Sequence, residues 1–360
     1  MGVPLASTGT TLGKSLVKRI KLPSLTQWHR WLGLVLSGWV LLMAVTGSML
    51  LFKNQWLMWQ YPNLRLETPV SHTTSATIAD RYKAGYAYLP THDRPWFELV
   101  DGDGNHHYFG LQGEHLLTRA PYSDTVSWFV ELHHHLALDK FGKDILGVLS
   151  LFALVLIITG LVRWWPKRQW RWKNLAIRFY NPFSAKGMQT LWQLHRSTGA
   201  IVFIPIALLM FTGSAIMYAS TVKDGLTTLL PMTDSRIQHT VPDRLATHWQ
   251  ERFEIARAVL PNADIRLIYL DSGRMRLKWP DEWHPNGRNY IAFDDRGTLT
   301  TITDVRARPL GEQIAHMVYP LHVAAIGGTA MTLVILAGGI ALLLLPVTGV
   351  WFYLKRRNKR

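Results

Sequence analysis

The sequence predicts a mainly α membrane protein: a four-helix transmembrane bundle built by tandem duplication, carrying two extramembrane α+β domains. Three observations lead there. Four stretches, Trp31–Phe52, Ile145–Val162, Ser197–Val222 and Gln313–Leu354, are free of charge. Each offers the roughly 20 apolar residues needed to cross about 30 Å of hydrocarbon. The charges between them are sorted. Residues 1–30, 163–196 and 355–360 hold 18 Lys/Arg and no acidic residue, whereas Lys53–Asp144 and Lys223–Glu312 hold all 24 acidic residues with the other 21 basic ones. By the positive-inside rule both termini and the middle loop are cytoplasmic and the two long segments lie outside. Finally, one pattern occurs twice. His29-Arg30-Trp31-Leu32-Gly33 leads to Thr46-Gly47-Ser48, and His195-Arg196-Ser197-Thr198-Gly199 leads to Thr212-Gly213-Ser214, at one offset of 166.

The elements follow in order. Residues 1–24 form a cytoplasmic arm and 25–53 the first membrane helix, too long for a signal peptide's apolar core and read as retained. Residues 54–125 make the first outer domain. Within it Ile78–Ala87 is expected to be helical, and Pro95–Val100 and His106–Leu111 to be strands around the Asp101-Gly102-Asp103-Gly104 turn. The second membrane helix covers 126–165. A basic, tryptophan-rich loop, 166–186, suits lipid headgroups better than a flavin or partner dock. The third helix spans 187–220, with a kink expected at Pro205. The second outer domain covers 221–312, with a helix over Arg244–Leu260 and strands at Ile265–Leu270, Arg274–Trp279, Asn289–Phe293 and Thr298–Thr303. The fourth helix, 313–354, precedes the basic tail 355–360.

A second repeat supports the duplication. Leu132-His133 with Thr159-Gly160 matches Leu321-His322 with Thr348-Gly349 at an offset of 189. The difference between the two offsets places extra residues in the second outer segment.

Composition removes several classes of function. With no cysteine, disulfides, cysteine-bound iron–sulfur clusters, covalent c-type haem and thiol catalysis are excluded. The net charge of +15 is explained by topology, so nucleic acid is not an expected partner. No dinucleotide-binding glycine motif is present.

The four repeated histidines are the candidate site. At 100° per residue, Gly33, Leu36, Val40, Met43 and Gly47 share the face of His29; Gly199, Val202, Ile206, Leu209 and Gly213 share that of His195. A two-fold bundle brings His29 towards His195 on the cytoplasmic side and His133 towards His322 outside. Two facing neutral imidazoles can ligate a haem iron. Gly33, Gly47, Gly199 and Gly213 would then leave a slot for the macrocycle. His134 and His135 compete with His133, and His316 with His322, because neighbours on a helix cannot all face inward. A copper or zinc site, a proton relay or plain interfacial anchoring are the other readings of these residues. His106, His107, His115, His239, His248 and His284 read as surface residues. Trp96, Trp279, Trp283 and Tyr290 read as strand core, and after that as candidates for substrate contact. A continuous helix from His322 to Leu354 is about 48 Å long, so His322 should reach the outer interface, favouring a reductase with an external substrate.

These stretches resemble the PepSY-associated transmembrane-helix family. The residues that carry the resemblance are the His29–Gly33 and Leu132-His133 segments, Leu194-His195-Arg196 and Leu321-His322, each with its Thr-Gly, and Trp164-Trp165-Pro166. Tyr290-Ile291-Ala292-Phe293-Asp294 with Gly297 is similar to the end of a PepSY module. The resemblance implies PepSY-like outer domains in the periplasm of a bacterial inner-membrane protein. It implies two b-type haems on His29, His195, His133 and His322, and a haem-dependent ferric-siderophore reductase fed by a cytoplasmic or quinol donor. A non-enzymatic anchored PepSY module that binds or inhibits a periplasmic partner, and a haem or metal carrier, are the alternatives.

Overall fold

A computed structural model describes residues 24–165, 175–181, 183–184, 186–234, 237, 239–240 and 244–358. Nearly all of the expected cytoplasmic arm, and the 166–174 part of the basic loop, lie outside the described residues.

The chain is mainly helical, and among the described residues three helices are long and apolar enough to cross a membrane: α1 (Leu25–Leu50), α5 (Asp139–Trp164) and α12 (Gly328–Arg357). A fourth span arises if the bent pair α6 (Gly187–Ile201) and α7 (Phe203–Met217) is counted as one. Ser24 starts α1 with a capping box, its hydroxyl accepting from the Gln27 N–H while the Gln27 side chain accepts from the Ser24 N–H. Along the bundle α1 packs on α5 and α12, and α12 and α5 pack on α7. Leu36, Val40, Ala44, Ile206, Ala341 and Leu342 form the apolar centre.

Three of the expected helices are broken. The 126–165 helix is two: α4 (Thr125–His135) and α5, separated by Leu136 and Ala137 at φ +52° and +54°. The 313–354 helix is three: α10 (Leu310–Ala315), α11 (Val318–His322) and α12, with Ala324 at φ +53° and Gly327 and Gly328 also left-handed. The two breaks fall within three residues of His133 and His322. The third helix bends by 69° between α6 and α7. The break lies at Val202 rather than Pro205, since a proline ring clashes with the carbonyl four residues earlier, here Ile201, the last residue of α6.

The outer segments carry α2 (Lys53–Gln60), α3 (His72–Ala79), β1 (Tyr86–Tyr88), β2 (Phe97–Val100), β3 (His106–Phe109) and β4 (His115–Arg119) in the first repeat. The second carries α8 (Ala219–Leu229), α9 (Trp249–Val259), β5 (Asp264–Tyr269), β6 (Arg274–Lys278), β7 (Asn289–Phe293) and β8 (Leu299–Thr303). The helix expected over Ile78–Ala87 ends at Ala79, and Tyr86–Tyr88 is a strand instead.

The two outer domains are not separate. All eight strands form one antiparallel sheet in the order β4-β3-β2-β1-β5-β6-β7-β8. β1 and β5 join the halves, pairing Tyr86 with Tyr269, Ala87 with Ile268 and Tyr88 with Leu267. Each half thereby covers the other's open strand edge. Helices α3 and α9 lie on one face, and a single core runs across the seam, including Ile78, Ala87, Leu99, Phe253, Ile268, Met275 and Ile291.

Phe253 is fully buried in this shared core. Phe253→Ala should cost about 3–5 kcal/mol. Amide exchange should rise in β2 of the first repeat as well as in β6 of the second; a rise confined to the second would mean that the halves unfold independently.

Candidate histidine-pair site

Each repeated histidine leans onto the Thr-Gly of the neighbouring helix within its own repeat. The His29 Nδ1–H donates to the Leu156 carbonyl at 3.2 Å and the Thr159 hydroxyl at 3.1 Å. His195 does the same to Leu345 at 2.9 Å and Thr348 at 3.3 Å. His133 donates to Thr46 at 2.9 Å, and His322 to Thr212 at 2.9 Å. The threonine hydroxyls are themselves donors to carbonyls one turn back, Thr46 to Leu42 and Thr212 to Leu208. Their oxygens can only accept from the rings. A carbonyl likewise only accepts. All four rings are therefore assigned the Nδ1–H tautomer, which leaves the Nε2 lone pair free.

The glycines explain why the rings fit. A Cβ on Gly160 would stand 3.0 Å from His29 Cε1, on Gly349 3.1 Å from His195, on Gly47 2.8 Å from His133 and on Gly213 3.3 Å from His322. Gly47 and Gly213 thus seat the histidines at the other end of the bundle, not those on their own helices as their shared stripe suggested. Gly33 and Gly199 face Leu156 and Leu345. Gly160 and Gly349, the counterparts at His29 and His195, were visible only as part of the Thr-Gly repeat.

Across the two repeats the rings meet in pairs. His29 and His195 have centroids 6.2 Å apart with planes at 76°; His133 and His322 are 6.3 Å apart at 38°. All four are half-buried. The pairs sit at opposite ends of the bundle, since the 17 residues from His29 to Thr46 span about 26 Å of helix. The outer pair is level with the last turns of α1 and α7, not on one continuous helix with Leu354 as the sequence suggested.

Two rivals are tied elsewhere: His135 bonds Glu131 at 3.2 Å and His316 lies 3.6 Å from Glu312, each a partner four residues back. His134 is exposed, and its ring lies 5.7 Å from that of His133. His284, expected at the surface, is buried at 5% exposure, stacked on Tyr319. Trp96 and Trp279 are buried as core, whereas Trp283 is exposed and Tyr290 half-exposed.

The donor set can be tested against possible groups. Two imidazoles on opposite sides of one ion, each about 2 Å from it, place their centroids about 6.3 Å apart, which both pairs match. Among the described residues no group of three or more His, Cys, Asp or Glu forms a metal cluster. Zinc or copper would ask the protein for more ligands. A metal that brings its own equatorial ligands, as haem does, asks for two. The residues fit that group.

Spans, paired histidines and a shared outer sheet define a membrane-embedded histidine-pair protein. The model of the PepSY-associated TM region matches residues 26–356, and the chain belongs to that family. No curated protein matches the chain.

Thr46→Val keeps the side chain's shape and removes the hydroxyl that accepts from the His133 Nδ1–H, at a cost of about 1 kcal/mol. In ¹⁵N-histidine spectra His133 should lose its fixed tautomer while the other three keep theirs. The pH dependence of the outer domain has a set direction. Burial and the Arg288 charge hold His316 at about 4 rather than 6.5, and burial with Arg288 and Arg276 holds His284 lower still. The unfolded chain takes up these protons first, so stability should fall as pH drops from 6.5 towards 4. His316→Gln should flatten that slope in denaturant titrations.

Proposed function

We propose that the chain is a di-haem b transmembrane reductase of the bacterial inner membrane. It would pass electrons from a cytoplasmic or quinol donor to ferric siderophores in the periplasm, with both termini cytoplasmic and the sheet domain periplasmic. The observation that carries this reading is the pair of imidazole pairs at opposite ends of the bundle, each at the separation that one metal centre requires.

Bound between such imidazoles, haem iron supplies one-electron chemistry at a potential tuned by its axial ligands and their hydrogen bonds. The chain's own part is to hold those ligands. Thr159, Thr348, Thr46 and Thr212 fix the tautomer and turn each Nε2 away from its own repeat. Gly160, Gly349, Gly47 and Gly213 give the rings room against the backbone. Apolar side chains between the pairs exclude water from the bundle's centre. The substrate's iron goes from Fe(III) to Fe(II) by one electron from the donor, and oxygen-rich chelators then hold it less tightly. No nucleophile or general base is required.

Purified protein should contain about two b-type haems per chain, read by pyridine haemochrome. His195→Ala and His322→Ala should each remove one and abolish reduction of ferric siderophore. Unchanged haem content in both variants would overturn the assignment. A colourless protein expressed with ample haem would return the chain to an anchored binding module.

A further inference from the structure

The sheet face opposite α3 and α9 carries tyrosines and arginines. At the seam Tyr86 and Tyr269 lie opposite each other with rings 6.4 Å apart, and Tyr88 meets Tyr86 edge-on at 5.6 Å. Guanidinium groups cover these rings: Arg94 on Tyr88 at 4.6 Å, Arg274 on Tyr269 at 4.4 Å and on Tyr290 at 5.2 Å, and Arg276 on Tyr290 at 5.6 Å.

The two repeats treat this face differently. In the first, carboxylates answer the cations: Arg119 bonds Asp124 at 2.5 Å, and Glu98 lies 4.0 Å from Arg94 and 2.8 Å from His106. Against the upward push of burial, the His106 hydrogen bond and then the Lys53 and Arg94 charges hold Glu98 well below the usual carboxylate range. In the second, no carboxylate lies within ion-pair distance of Arg274, Arg276 or Arg288 among the described residues. The register makes the contrast direct. Glu98 stands opposite Tyr88 across β1–β2, and Arg274 stands opposite Tyr269 across β5–β6. Arg276 is 9% exposed. It gives one N–H to the Gly287 carbonyl at 2.6 Å, while its Nε and that of Arg288 have no hydrogen-bond partner. A buried cation without a counter-charge costs stability, so structure alone does not account for Arg276.

The face also leads to the outer histidines. His284, 3.4 Å from Arg276, stacks on Tyr319 at 5.3 Å and 26°. Tyr319 lies on α11, three residues before His322. Arg274 is exposed, and Tyr86, Tyr269 and Tyr290 are half-exposed, so a solute can reach the surface.

We propose that this tyrosine–arginine face is the docking surface for the ferric substrate, and that it selects anionic chelates whose iron is held by aromatic catecholate groups. The proposal rests on the reductase reading and names its substrate class. A tris-catecholate complex of Fe(III) is negatively charged and presents aromatic faces. The first property meets arginines without carboxylates, whose forked donors suit paired oxygens. The second meets tyrosine rings at the rim. A neutral hydroxamate complex offers neither.

Ga(III) matches Fe(III) in charge and size but is not reduced, so its complexes report binding without turnover and whatever the haem content. Calorimetric titration of the detergent-solubilised full chain with Ga(III) tris(2,3-dihydroxybenzoate) should show binding, and a neutral Ga(III) trihydroxamate should bind far more weakly. Arg274→Gln and Arg274→Glu, both at an exposed position, should weaken the catecholate complex by about tenfold and more than tenfold. Their melting temperature and haem content should be unchanged. Equal affinity in Arg274→Glu, equal binding of the hydroxamate complex, or no catecholate binding would overturn the proposal. Catecholate binding with this arginine dependence in a chain that holds no haem would leave the docking face standing and remove the reductase reading; haem without such binding would do the reverse.

Discussion

The arrangement depends on one hydrogen bond made four times. A histidine on one helix gives its Nδ1–H to the threonine of a Thr-Gly step on the next, and the glycine lets the ring lie against the backbone. This single contact pins the helices of each repeat together, fixes the imidazole's tautomer and turns the other nitrogen towards the opposite repeat. An imidazole without that bond could rotate, and a metal centre held by it would lose its orientation. The left-handed residues just after His133 and His322 belong to the same constraint. A straight helix through these points would carry the histidines past the Thr-Gly steps of α1 and α7. The non-glycine left-handed conformations at Leu136, Ala137 and Ala324 are the conformational cost of bringing them back.

Duplication gives the molecule both its pairs and its asymmetry. Joining β1 to β5 makes one sheet from two segments, with a single core across the seam. The repeats then diverge where they meet solvent. The first neutralises its cations with Glu98 and Asp124, while in the second no carboxylate among the described residues lies within ion-pair distance of Arg274, Arg276 or Arg288. That divergence is what the proposed docking face rests on.

Much of this was legible in the sequence. The charge-free runs located the spans because hydrocarbon tolerates few ionised groups, and constant offsets between histidine and Thr-Gly repeats exposed the duplication. Periodicity identified the right helix face for Gly47 and Gly213 but not their partners, since a stripe does not say which neighbour arrives at which height. The helix breaks were hidden because Leu136, Ala137 and Ala324, left-handed here, are ordinary helix formers. Tyr86–Tyr88 is too short to announce a strand, and its partner β5 belongs to the other repeat, so the seam left no local signal. Strand parity places Arg274 and Arg276 on one face. Which face the helices cover is decided only by packing.

Electron paramagnetic resonance of the oxidised, detergent-purified protein tests the central claim most directly. The imidazole planes meet at 76° in one pair and 38° in the other. Two low-spin ferric signals are therefore expected. One should have the large principal g value of nearly perpendicular ligand planes, and the other the more rhombic pattern of planes closer to parallel. A high-spin spectrum, or one low-spin species alone, would contradict the pairing of His29 with His195 and of His133 with His322.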